Sequence, residues 1–524
     1  MRFRKLTMLL VLSACVPVAG CAEPELFQQE SEQDTADHAD QRFDLNGMKQ
    51  QVLRFQQSWN DAAQTPVLQE QIDMVIQAVD EAYAQHCRAQ IAYYSDWNND
   101  DLFALNHECT EDYFAAADIA DWFFANGYKK SADSALFAPY IEEENLPYYT
   151  GNSLTRIIAY AKSDASADSE RLNDYYNLAY GDEPDLDKTN KRCAKIYLDS
   201  LKELDVSQAL FNYYDRDYTA AEASEVYQEI RAQLVPLRDA LERRLNDSGE
   251  DIWSEPMNDD PYDLLKQYAP KLSPSIAESA DKLFSEHLYT AAEGLNCYDG
   301  SFTLNLPNEQ IGLMYTYLND TAYDFITVTH EFGHFHSDWR DTTPVCMQGM
   351  NLDIAEAQSQ SMVTLFLPYY QEIFGADAVE KQQLVLLDLL DAAISGYAVG
   401  EFKYRVTQHL DDFSPSDTAK LFADIMDECG VNLELYEVSH LFEQPGYYIS
   451  YGVSALPALE MYTVVMQDPE QAHTVYDELS GYSCLSGEYA FRDVMQRCGF
   501  SDYFDAASIC QLAETLRELI DTEI

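Results

Sequence analysis

Residues 297–337 read CYDGSFTLNLPNEQIGLMYTYLNDTAYDFITVTHEFGHFHS. The first half alternates apolar and polar at Phe302, Leu304 and Leu306, turns at Pro307-Asn308, and rises again through Ile311, Leu313, Met314 and Tyr315. Period-two alternation around such a turn predicts a small antiparallel β element. The second half changes rhythm. Ile326, Val328 and Phe332 are apolar and no proline intervenes, which predicts a helix. On that helix His330 and His334 stand four apart, so both rings project from one face. Glu331 follows the first histidine, where its carboxylate can reach a water on a metal held by the two imidazoles. This is the HExxH arrangement of zinc sites. Gly333, between them, lets another backbone pack closely.

A catalytic zinc site takes a third protein ligand and leaves a fourth position for water. Leu352-Asp353-Ile354-Ala355-Glu356-Ala357-Gln358-Ser359 is a helical stretch that can place Glu356 opposite the two histidines. It begins far enough beyond His334 for a loop and a returning helix. Asp353, one turn earlier, competes as ligand or as acceptor for a ligand imidazole N–H. His336 falls on the wrong side of the helix from His334.

Around this centre the chain reads as mostly helical. Apolar residues recur at three- and four-residue steps through 47–92, 110–126, 190–245, 276–292, 380–411 and 504–520. Loops are expected near 96–101, 163–170 and 246–261, and at Ser414-Pro415. Glycine and proline number only 20 and 18 in 524 residues, which excludes collagen-like and largely disordered chains.

The charge is lopsided: 33 Lys+Arg against 91 Asp+Glu, a formal −58. Nucleic acid is excluded as a partner, because its phosphates demand a basic footprint. A solvated, self-repelling surface explains most such excess. Its sharper consequence is attraction for basic substrates.

The N-terminus reads as an address. Arg2, Arg4 and Lys5 precede an apolar run, Leu6 to Val18, too short to span a bilayer. It ends in Val18-Ala19-Gly20-Cys21, which resembles the lipobox at which bacterial lipoproteins are cut and lipidated. Residues 1–20 are therefore expected to be a signal peptide, with Cys21 carrying lipid. Residues 21–45 then form a flexible acidic tether, 46–250 an N-terminal helical region and 251–524 the region bearing the metal site. The expected location is extracytoplasmic, anchored to a bacterial membrane through the lipid alone. Beyond Cys21 nine cysteines remain. Their odd number leaves at least one unpaired within the chain, and buried thiols are as compatible with the sequence as disulfides.

Residues 297–337 resemble the thimet oligopeptidase/oligoendopeptidase F family of zinc metallopeptidases, in which strands lead into an HExGH helix. The IAEAQSQ segment is similar to the family's glutamate-ligand helix, and EFKYRV at 401–406 also has a counterpart. So does HLFEQPGYYISYGVS at 440–454, similar to a block in which a histidine and tyrosines face the metal. The resemblance covers roughly residues 290–460. It implies two helical lobes around a deep substrate channel and one zinc held by His330, His334 and Glu356. It also implies Glu331 as general base, His440, Tyr447, Tyr448 and Tyr451 around the oxyanion, and hydrolysis of internal bonds in short peptides. The tyrosine block is offset by about one residue, so Tyr447 and Tyr448 are not separated by the match. The rival readings are an inactive peptide-binding lipoprotein using the same cleft and a different zinc hydrolase, such as an aminopeptidase. An intact Glu331 argues against the first, for a binder has no need of it. No motif for gripping a free N-terminus supports the second.

Overall fold

The computed structural model describes residues 42–59, 65–143, 145–179, 185–203, 214–246, 256–257, 259–349 and 351–522. The expected signal peptide, Cys21 and the tether as far as residue 41 lie outside the described residues. The end of the tether does not hang free. Arg42 pairs with Glu108 at 2.8 Å and with Asp112 at 2.7 Å, and a helix begins at Leu45.

The helices in the first part are α1 (Leu45–Phe55), α2 (Thr65–Ser95), α3 (Asp100–Lys130), α4 (Leu154–Ala179), α5 (Leu186–Glu203), α6 (Ala220–Gln233) and α7 (Val235–Asn246). The expected loop at 163–170 is absent, because α4 runs through it. That stretch has no glycine or proline, and its alanines favour helix over the turn that Ser and Asp pointed to. The loop at 96–101 is present. Asn99 ends it by accepting from the amides of Asp101 and Leu102, at 3.1 and 3.2 Å, as the N-cap of α3.

Next come α8 (Pro261–Tyr268), α9 (Pro274–Ser285), β1 (Tyr289–Glu293), β2 (Phe302–Leu306), β3 (Ile311–Leu318) and α10 (Tyr323–Asp338). The β element is larger than expected, and mixed. β2 and β3 form the antiparallel hairpin, Leu304 opposite Leu313, while β1 pairs parallel to β3, Tyr289 opposite Met314. The helical pattern over 276–292 therefore stops short. Helix α9 ends at Ser285, His287 takes a left-handed φ of 53°, and the Leu288 amide reaches back to the Leu283 carbonyl at 3.0 Å. The turned chain then finds the free edge of β3, a pairing with a distant segment that local periodicity does not report.

The chain ends with α11 (Leu352–Leu365), α12 (Ala378–Gln408), α13 (Pro415–Cys429), α14 (Ile449–Gln467), α15 (Pro469–Leu479), α16 (Phe491–Cys498) and α17 (Ala506–Thr522). Helices α2, α3 and α4 pack in one group; α11, α12 and α14 pack in another, with α10 against α11 and the sheet. The groups are not independent. Helix α6 lies on α12 and α5 on α13, and one buried apolar cluster runs from Met48 to Leu516. The chain thus takes the expected mostly α fold. The helices 378–408 and 449–467 include stretches apolar enough to cross a membrane, but most of each such stretch is buried inside the protein as core. All nine cysteines among the described residues are free, seven of them buried, so they serve as small apolar residues.

Candidate metal centre

Helix α10 is buried at every position from Asp324 to His336, between β2 and β3 on one side and α11 on another. The approach to α11 depends on Gly333. A Cβ there would lie 2.6 Å from the Ser359 Cα and 2.9 Å from the Met362 Cβ, so any larger residue forces the helices apart. Asn351 caps α11 by accepting from the Ile354 amide at 3.2 Å and donates to the Tyr489 carbonyl at 3.0 Å, which fixes where that helix starts.

These contacts bring Glu356 onto the two histidines. Its Oε2 lies 3.4 Å from His330 Nε2 and 3.8 Å from His334 Nε2. Ligands about 2.0–2.2 Å from a tetrahedral ion stand roughly 3.3–3.6 Å apart; the His330–Glu356 edge falls in that range, the His334–Glu356 edge is slightly longer, and all three ligand atoms lie within 4.8 Å of one another. His330, His334 and Glu356 are the His/Cys/Asp/Glu group among the described residues that is arranged to hold an ion. The electrostatics fit a cation as well. His330 Nε2 and His334 Nε2 are buried with no hydrogen-bond partner, and Glu331 Oε1 is likewise unpaired. Burial pushes His334 down to about 3, leaving a neutral ring with a lone pair to offer. Burial works to raise Glu356, but the two imidazoles and Tyr447 outweigh it and hold the carboxyl below its ordinary range. Two buried carboxylates beside two unsatisfied nitrogens are costly unless a cation compensates them.

Glu331 sits behind this triad and is fully buried, which pushes its carboxyl well above the usual range. Thr303, on β2, donates to Glu331 Oε2 at 2.8 Å and leaves Oε1 free. Sequence reading missed Thr303, although it stands on the strand flagged beside the motif.

Asp353 is not a ligand. It accepts from the Tyr218 hydroxyl at 2.8 Å and lies 3.5 Å from Arg216 Nε, all within a fully buried pair. Nor does it accept from a ligand ring: its Oδ2 is taken by Tyr218, and its Oδ1 is buried with no hydrogen-bond partner. His336 turns away to Ser279 Oγ, 2.8 Å from its Nδ1.

The His/Tyr block reaches the centre from the other side. Helices α12 and α14 cross where Gly396 meets Gly452; a Cβ on Gly396 would lie 2.3 Å from the Gly452 nitrogen. This crossing sets the start of α14, and the three tyrosines separate. Tyr447 donates to Glu356 Oε1. Tyr451 Oη lies 3.1 Å from His440 Nε2, and the charges of Glu356 and Glu331 both act on it. Tyr448 is half-buried, hydrogen-bonds with Ser395 and, with His440, faces a cavity of about 420 Å³. Burial brings His440 down to about 4 and pushes Tyr451 well up, so both are neutral near pH 7.

The fold has solved relatives. A chain assigned as an oligoendopeptidase F aligns over 92% of this chain and 97% of its own, with a TM-score of 0.72 and 16% identity. PZ peptidase A, solved with an inhibitor, aligns over 93% and 99%, with a TM-score of 0.70 and 15% identity. A Pyrococcus furiosus carboxypeptidase aligns over 84% and 98%, with a TM-score of 0.53 and 12% identity. At such identities the likeness is one of fold. No protein-family model matches the sequence, and no curated protein matches it.

Proposed function

We propose that this protein is a zinc-dependent peptidase that hydrolyses internal bonds of short peptides. The observation that supports it most is the convergence of His330, His334 and Glu356 on one point with Glu331 beside them. The ligand chemistry of two imidazoles and one carboxylate is that of catalytic zinc sites, and the fold neighbours are named as peptidases. When bound, zinc polarises the scissile carbonyl and lowers the pKa of a water.

The chain's own residues do the rest. Glu331 Oε1 takes the proton of the attacking water and returns it to the leaving amine, while Thr303 fixes the other oxygen. If His440 donates its Nε2 proton to Tyr451, the Tyr451 hydroxyl can donate toward the developing oxyanion; a neutral pair in a dry site serves that role well. Tyr447 is a positioning residue, because its hydroxyl is committed to Glu356. Tyr448 faces the adjoining cavity and contacts the substrate there. The small sheet lies beside the site, and its β2 edge offers a place for a peptide to add as a strand. Two lobes around a channel would admit unfolded peptides and exclude folded proteins. An intact base, with Thr303 holding it, disfavours the reading as a peptide binder without turnover.

The mature protein, in this reading, is tethered outside the cytoplasm by lipid on Cys21, with no other membrane contact. Its acidity would favour basic peptides at long range. Hydrolysis of quenched peptides should stop on chelation and return with zinc. Full activity in the presence of chelator would overturn the assignment.

A further inference from the structure

The cavity beside the metal centre has a chemistry opposite to that of the protein's exterior. It lies between α6 and α12 and is lined by Thr219, Ala220, Lys403, Tyr404, His440 and Tyr448, among others. Its volume, about 420 Å³, is within the range of small-molecule sites. Lys403 is half-buried, but its Nζ is sealed from solvent and has no hydrogen-bond partner. An ammonium in that position is costly unless an anion meets it.

Two further features lie against the same wall. Thr219 caps α6, so the helix turns its N-terminal end, with the amides of Ala220 and Ala221, toward the cavity. Glu222 closes the capping box by accepting from the Thr219 amide and hydroxyl, both at 2.8 Å, and its charge is shared with Arg492, 3.5 Å away. Behind the wall, Arg216, whose charge is paired with Asp353, donates to the Gly446 carbonyl at 2.9 Å, and Gly446 itself lines the cavity. Burial and the Arg216 charge bring Lys403 down to about 7, and an anion bound beside it would raise it again.

We propose that this cavity is a carboxylate-binding subsite of the peptide channel, in which Lys403 and the N-terminus of α6 receive an anionic group of the bound peptide. The proposal rests on the peptidase reading, because His440 and Tyr448 join the cavity to the metal centre. Two sources carry the same chemistry: the C-terminal carboxylate and an Asp or Glu side chain. A terminal carboxylate held there would set the cut at a fixed distance from the peptide's end; a side chain would set sequence preference. The acidic exterior and the basic cavity are compatible, since one acts over the approach and the other on contact.

The test is binding of fluorescent peptides to the full, zinc-loaded chain carrying Glu331→Gln, which uncouples affinity from turnover. Peptides are compared with a C-terminal acid, with a C-terminal amide, and with a single glutamate moved along an otherwise neutral amidated sequence. One of these carboxylates should tighten binding about 10- to 100-fold, the scale of a charged hydrogen bond. The gain should vanish with Lys403→Met and persist with Lys403→Arg, which keeps the charge and guards against a folding defect. Loss with the acid alone assigns the terminus, and loss with one glutamate position assigns a side chain. Equal affinity for all peptides, or a gain that survives Lys403→Met, overturns the subsite while leaving the peptidase reading intact. No binding of any peptide, together with no hydrolysis by the unmodified chain, overturns both.

Discussion

The Tyr447 hydroxyl donates to Glu356 Oε1, while Oε2 of the same carboxylate faces His330 and His334. One oxygen is thus held so that the other is aimed. A partner behind a metal ligand fixes its orientation, and losing such a partner costs about 10- to 100-fold in metal affinity. Tyr447→Phe should therefore weaken zinc binding by that amount, read by competition with a chelating dye. At saturating zinc most of the turnover should return. A large fall in kcat with unchanged zinc affinity would make Tyr447 an oxyanion donor instead.

Tyr451→Phe should show the reverse pattern. Its hydroxyl is beside His440 and under the influence of both site carboxylates. Losing an oxyanion donor costs roughly 2.7–4 kcal/mol in the barrier, so kcat should drop by about 10²–10³ while zinc content stays the same.

Sequence and structure agree where the chemistry is written at helical spacing. His330, Glu331 and His334 are legible because four residues make one turn, and Glu356 because the returning helix needs little more than a loop. Tyr447 and Tyr448 were not separable. Both stand just before the start of α14, and which one meets Glu356 depends on the Gly396–Gly452 crossing, a contact between distant segments. The parallel strand β1 and the cavity around Lys403 were hidden for the same reason. Both arise from segments far apart in the chain, and neither leaves a local period.

Asp353 and Glu356 lie one turn apart and should fail differently. Asp353→Ala removes the carboxylate that offsets the buried Arg216 charge, and breaking such a buried pair costs about 3–5 kcal/mol. Zinc should still bind. Glu356→Ala should lose zinc. Loss of zinc from Asp353→Ala in protein that remains folded would restore it as a ligand.

Asp338, at the end of α10, supplies a pH test of the fold. Burial, with Asp341 nearby, pushes its carboxyl up to about 7. The folded state therefore holds a proton that the unfolded chain releases near pH 4. That contribution to stability is complete below about pH 4 and is lost as pH rises through 7. Asp338→Asn, which cannot ionise, should match the unmodified protein at pH 4 and melt higher at pH 8. Equal Tm differences at both values would place the Asp338 carboxyl in its ordinary range.

The most direct test of the metal-centre account is zinc content and peptide-library hydrolysis, measured together on the unmodified chain and on Glu331→Gln. The account predicts one zinc per chain in both proteins, internal cleavage by the first, and nearly complete loss of hydrolysis in the second. Undiminished hydrolysis by Glu331→Gln, or a folded protein that binds no zinc, would contradict it.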